Sequence, residues 1–253
     1  MLKITKQTKY LLLGISIISG LSFLIAYIYY DGKNKAEDPR IVKTKYLFKE
    51  YEDLIKENKF DKALSVLDSV DSILKKVPGY KTSFEPGIVL NNRGSAYLSM
   101  ALYKTTDSLE RTIFLSFAKK NLDSSIVVYT NWLNKNEKLS KDELLNNEKP
   151  YFSVNNPEFR DRDYNKILNK RIDDLILAKN ETPRRLSVSY TNLGIVLRHQ
   201  YKQNEAVECY IKAIKLWKDN YTARNNFNVL MGKPPEDRSI IDQLFPPEKN
   251  NFN

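Results

Sequence analysis

The sequence predicts an all-α protein: an α-α superhelix of stacked helix pairs, preceded by one transmembrane helix. Three observations lead there. Glycine is scarce, 8 in 253 residues, which disfavours sandwiches and barrels with their many tight turns. An uncharged run of 21 residues separates Lys9 from Asp31. Between Tyr190 and Trp217, the small residues Gly194, Ala206 and Ala213 fall at intervals of 12 and 7 among large and charged ones. Two helices that cross closely need small residues at the crossing, because a Cβ there keeps the axes apart.

The uncharged run, residues 10–30, would span about 30 Å as a helix, the hydrocarbon thickness of a bilayer. Tyr10 at one end and Tyr27, Tyr29 and Tyr30 at the other suit the two interfaces. A cleaved signal peptide would have a shorter apolar core ending in small residues, and "AYIYYDGK" lacks that pattern. Lys3, Lys6 and Lys9 precede the run without an acid, whereas mixed charges follow it. The expectation is a single-pass anchor with residues 1–9 in the cytoplasm and the helical domain outside it, periplasmic if bacterial. Ser16 and Gly20 form a small-xxx-small pair, a route to a homo-oligomer through the anchor.

Residues 31–43 read as a polar stalk, and 44–232 as the helical domain. Leu47, Tyr51 and Leu54 lie on one helical face, and after a break at Glu57–Lys59 so do Phe60, Ala63, Leu67 and Val70. Pro78 and Gly79 end that pair. Gly87 to Lys104 reads as a helix, and Asp107 to Leu133 as a long amphipathic one with Asp107 as cap. Asn134 to Asn156 is polar, a loop or an interrupted helix, and a further helix is expected to open at Pro157. Thr182 and Pro183 read as cap and first turn of the next helix. A helix over 221–231 ends at Gly232, and residues 233–253 form a tail with an apolar patch at Ile240, Ile241, Leu244 and Phe245.

The segment from Tyr190 to Trp217 resembles the tetratricopeptide repeat (TPR), a 34-residue helix–turn–helix unit. With Ser187 at position 1, the signature positions carry Tyr190, Leu193, Gly194, Leu197, Ala206, Tyr210 and Ala213. The proline expected near position 32 is replaced by Lys218. A weaker repeat covers about 44–77, with Leu47, Leu54, Ala63, Leu67 and Val70 aligned but Glu50 and Tyr51 at positions 7 and 8. A third covers about 87–130. There Gly94 and Tyr97 align with Ala118, Leu122 and Ser125 across a 12-residue insertion, which longer helices with an extended turn would accommodate. Residues 187–220 then form the last repeat, and the helix over 221–231 would cover its open face.

Catalytic chemistry finds little support, and the chain reads as no enzyme, with no cofactor and no metal. His199 is the only histidine, which removes paired-His metal sites and most triads. No phosphate-binding glycine motif occurs. "SFAK" (Ser116–Lys119) and "SILK" (Ser72–Lys75) match S-x-x-K without partner segments. Cys209 reads as a packed hydrophobe, and the acids at Asp161 and Asp163 as a solvated face. The net charge of +10 is interleaved with acids rather than clustered, so nucleic acid is not the expected partner.

The resemblance implies a concave groove that binds a protein or peptide segment. The family's groove positions fall on Lys45, Phe48, Glu52 and Ile55 in the first repeat and on Val188, Thr191, Ile195 and Arg198 in the last. The alternative for each is packing against a neighbouring repeat or against 131–180. The functional expectation is a membrane-anchored adaptor or scaffold of a cell envelope, with individually weak groove contacts strengthened by tethering. The alternative is a structural or assembly subunit of a membrane complex that docks through the tail.

Overall fold

Three pairs of antiparallel helices, each closed by a short turn, pack side by side in chain order. The computed structural model describes residues 15, 16, 18–25, 36–153, 155–160 and 162–236. All regular structure among these residues is helical. The first pair is α1 (Val42–Lys56) and α2 (Phe60–Lys76), joined through Asn58 with φ +56°. A one-turn helix, α3 (Pro78–Lys81), leads to the second pair, α4 (Glu85–Ser99) and α5 (Ser108–Asn136). A short helix, α6 (Lys141–Glu148), precedes the third pair, α7 (Tyr164–His199) and α8 (Gln203–Leu216), and α9 (Tyr221–Leu230) covers its end.

Capping explains most boundaries. Asp107 Oδ1 accepts from the Glu110 N–H at 2.7 Å, as its position before α5 predicts. Ser140 and Glu143 form a reciprocal capping box that starts α6 within the polar stretch. Gly232, at φ +68°, takes the left-handed conformation after α9 that a residue without Cβ adopts freely.

Two expectations are corrected. Pro157 opens only a single 3-10 turn, Pro157–Phe159, and α7 starts at Tyr164 with Asp163 as its cap. Thr182 and Pro183 begin no helix: α7 runs through them for 36 residues. Pro183 has no N–H for the Lys179 carbonyl, a local cost. Burial of Ala178, Thr182, Leu186 and Ser187 along one face of α7 outweighs it. Thr182 is fully buried in that face instead of serving as a cap.

The second helix of each pair carries the same buried triad at spacings of four and three: Ala63, Leu67 and Val70; Ala118, Leu122 and Ser125; Ala206, Tyr210 and Ala213. All nine are inaccessible to solvent. In two pairs a glycine faces the triad's middle residue. A Cβ on Gly194 would lie 2.4 Å from Tyr210 Cε1, and one on Gly94 would lie 2.7 Å from Leu122 Cγ. The first pair has no such glycine. Its buried Tyr51 instead reaches α4, donating from its hydroxyl to the Asn92 carbonyl at 2.9 Å. The 12-residue insertion is taken up by length on both sides of the turn. α4 continues as a π-helical segment, Met100–Lys104, and α5 begins at Ser108, well before Ala118.

Residues 131–180 cover the end of the array where α4 begins. Trp132, Leu144, Phe152, Phe159, Ile167, Ile172 and Leu175 join one core with Leu67, Val70, Leu74 and Val89. A second core lies between α4, α5, α7 and α8. The expected anchor, 10–30, is described only at residues 15, 16 and 18–25, and the tail patch at 240–245 lies outside the described residues. Among the described residues no helix is long and apolar enough to cross a membrane.

Candidate functional site

A cleft of about 140 Å³ opens between the amino-terminal halves of α1 and α4 and the first half of α7. Its apolar lining comes from Ile41, Phe48, Phe84, Ile88 and Ile167. Two of the groove residues expected on α1, Lys45 and Phe48, line it. The opposite wall, Ile167, Lys170, Arg171 and Asp174, belongs to the segment the repeat pattern left unexplained.

The start of α1 is pinned beside this cleft. Arg40 chelates the Asp38 carboxylate through Nε and Nη2 and donates from Nη1 to the Tyr151 carbonyl at 2.8 Å. The same guanidinium lies 4.5 Å from the Phe152 ring centre and 4.8 Å from that of Phe159. The entry to α1 is thereby fixed to the 3-10 turns that precede α7.

Arg171 forms the floor. Its guanidinium lies 4.0 Å from the Tyr80 ring centre, donates to Glu85 Oε1 and Glu148 Oε2, and also reaches the Gly79 carbonyl at 3.2 Å and Ser83 Oγ at 3.0 Å. Its side chain is 1% exposed. Burial works against its charge, but Glu85, Tyr80 and Glu148 outweigh that and raise its pKa. Burial also raises Glu148 above the ordinary carboxylate value, with Arg171 pulling the other way. The remaining charges in the cleft pair with neighbours: Lys45 with Glu37, Lys170 with Asp174 and Asp38 with Arg40. The lining therefore offers apolar surface and charged side chains that each already have an ionic partner.

The other expected groove residues are scattered. Glu52 on α1 is exposed and Ile55 half-buried, and neither lines the cleft. On α7, Val188 is exposed, while Ile195 packs against the second core. Thr191 is buried and cannot face a groove ligand. Its hydroxyl donates to the Ser187 carbonyl and accepts from Asn220 Nδ2 at 2.9 Å. Asn220 also reaches Ser187 Oγ at 2.8 Å and caps α9 by accepting from the Ala223 N–H, so its amide ties α7 to α9, while Ser187 Oγ donates to the Ala213 carbonyl of α8 at 2.7 Å. Arg198 Nη1 lies 3.5 Å from Asn226 Oδ1 on α9. The helix over the last pair thus occupies part of the surface assigned to the groove. The repeat-signature residues are internal, with Leu193, Gly194, Leu197, Ala206, Tyr210 and Ala213 buried and Tyr190 partly so.

Arg171 carried no signal in the sequence. It sits in the run Lys170-Arg171-Ile172-Asp173-Asp174, which reads as a solvated helix face. The described residues weighed for reactivity lie away from the cleft. Cys209 is buried and its thiol is pushed up to about 11, chiefly by burial. His199 ends α7 exposed, its imidazole lowered by partial burial and by Arg198 and Arg111. Asp163 is spent on capping α7, and Asp161 lies outside the described residues. Among the described residues no cluster of His, Cys, Asp and Glu is arranged to hold a metal ion.

No protein-family model matches the chain, and no curated protein or solved structure matches it.

Proposed function

We propose that this chain is a TPR-like adaptor that takes a segment of another protein into the cleft between α1, α4 and α7, held at a membrane by residues 10–30. The observation that carries the reading is the composition of the cleft. Its wall is apolar and its charges are already paired, which suits the apolar side chains of a peptide or helix over a phosphate or a metal. The repeated buried triad and the two close glycine crossings support the kinship to helix-repeat arrays. The uncharged run and its lysine flank support the anchor, with the array outside the cytoplasm.

The test is photo-crosslinking in cells from position 48 and from position 198 of the full-length protein, followed by mass spectrometry. A discrete protein partner captured from position 48 is expected. With the cross-linker moved to position 45, capture should be lost in Phe48→Asp, measured well below the melting temperature of that variant because Phe48 also packs on the first core. Adducts confined to the chain's own residues 164–174 would mean that the cleft is filled from within, and the reading would fail.

A further inference from the structure

The outer face of α5 differs from those of the equivalent helices α2 and α8. Leu109, Ile113 and Phe117 recur every four residues and are 72%, 43% and 45% exposed. That spacing sets them on one side of the helix. The exposed positions of α2 are all polar or charged, Asp61, Lys62, Ser65, Asp68, Ser69 and Ser72 among them, and those of α8 are mostly charged, with Ile211 the apolar exception. The Phe117 ring is held in place from beneath, 5.2 Å from the ring of Tyr97 on α4, which also stacks on Phe114 at 6.4 Å. The stripe is thus a pre-ordered apolar ridge at the far end of α4 from the cleft.

We propose that this ridge is a homodimer interface in which α5 packs antiparallel on α5 of a second copy, about a two-fold axis at Ile113. The charges beside the ridge select that occupant. Asp107 and Glu110 lie at its amino-terminal end and Lys120 at its carboxy-terminal end. Glu110 and Lys120 are exposed and make no ion pair among the described residues. In the antiparallel arrangement position 120 lies opposite position 106, one turn from Glu110, so each Lys120 meets the acidic first turn of the other chain. The two-fold axis makes that contact twice. A parallel, in-register pairing would set Glu110 against Glu110 and Lys120 against Lys120, which is repulsive. Phe117 of each copy falls beside Leu109 of the other, and Ile113 meets itself. The cleft stays open, so this proposal stands or falls independently of the adaptor reading.

The test uses the full-length protein in detergent micelles. Ile113→Cys under mild oxidation is expected to give a covalent dimer, while Ser72→Cys on the polar face of α2 gives none. Leu109→Glu and Phe117→Glu, each in the Ile113→Cys background, should lower the cross-linked fraction about tenfold or more. Leu109 is the safer of the two for folding, being the more exposed. Glu110→Lys should lower the yield, and adding Lys120→Glu should restore it. Absence of the position-113 cross-link overturns the proposal. So does a cross-link that survives Leu109→Glu, or a dimer that is lost only when Gly20 in the anchor is changed.

Discussion

Replacing Arg171 by methionine keeps an unbranched apolar stem, shorter than the arginine, and removes the charged guanidinium. The Glu85 and Glu148 carboxylates then lose the cation between them, and the Gly79 carbonyl and Ser83 Oγ each lose a donor. Breaking a buried pair from one side costs about 3–5 kcal/mol, because the stranded charge has no water to replace its partner. For a body of this size each kcal/mol moves the melting temperature by about 2–4 °C, so Arg171→Met should melt about 10 °C early at neutral pH. The deficit should depend on pH. Glu148 already titrates above the ordinary value of 4.5 when folded, and losing Arg171 removes a charge that pulls it down. A group raised by folding contributes stability at pH below its unfolded value, and that contribution is lost as pH rises through its folded value. Acidification therefore neutralises the stranded carboxyl and narrows the gap between variant and parent. The assay is helical circular dichroism against temperature for both proteins at about pH 7.5 and about pH 5. A triple variant with Glu85→Gln and Glu148→Gln should recover most of the loss at neutral pH, because no charge is left unpaired. A shift below about 3 °C at neutral pH, or an equal shift at both, would refute the assignment of Arg171 as a buried electrostatic tie.

Gly194→Ala would gain about 1 kcal/mol of helix propensity but must displace the fully buried Tyr210 ring, a clash that costs about 1–3 kcal/mol. A net loss of up to about 2 kcal/mol in chemical denaturation is expected, and a stabilised variant would contradict the close crossing. Asn220→Ala removes the cap of α9 together with two side-chain bonds to Ser187 and Thr191, so about 2 kcal/mol should be lost. Hydrogen exchange should show α9 opening first in that variant, and protection of α9 equal to the parent's would remove Asn220 from its role.

Local patterns were legible wherever one helix face determines its own burial. The break at Glu57–Lys59, the Asp107 cap, the Gly232 stop and the buried positions of the three triads all follow from spacing and capping chemistry that neighbouring residues carry themselves. The length of α7 did not follow. Thr182 and Pro183 carry the local chemistry of a helix start, and only the core that receives Ala178, Thr182 and Leu186 makes a continuous helix the lower state. The cleft was half legible for the same reason. Lys45 and Phe48 were placed by repeat position, but the wall facing them comes from a segment more than a hundred residues away, and nothing near Thr191 announced that Asn220 would take its hydroxyl.

The sequence by itself determined the helical class, the succession of pairs and the points where two helices touch, since periodicity and small residues act over a few turns. The tertiary structure decided which charges are buried, which residues line the cleft and that α5 alone among its equivalents keeps an apolar ridge in solvent. Those outcomes depend on which distant surface arrives opposite a side chain, and an arginine in an alternating charge run reads the same whether it meets water or two carboxylates.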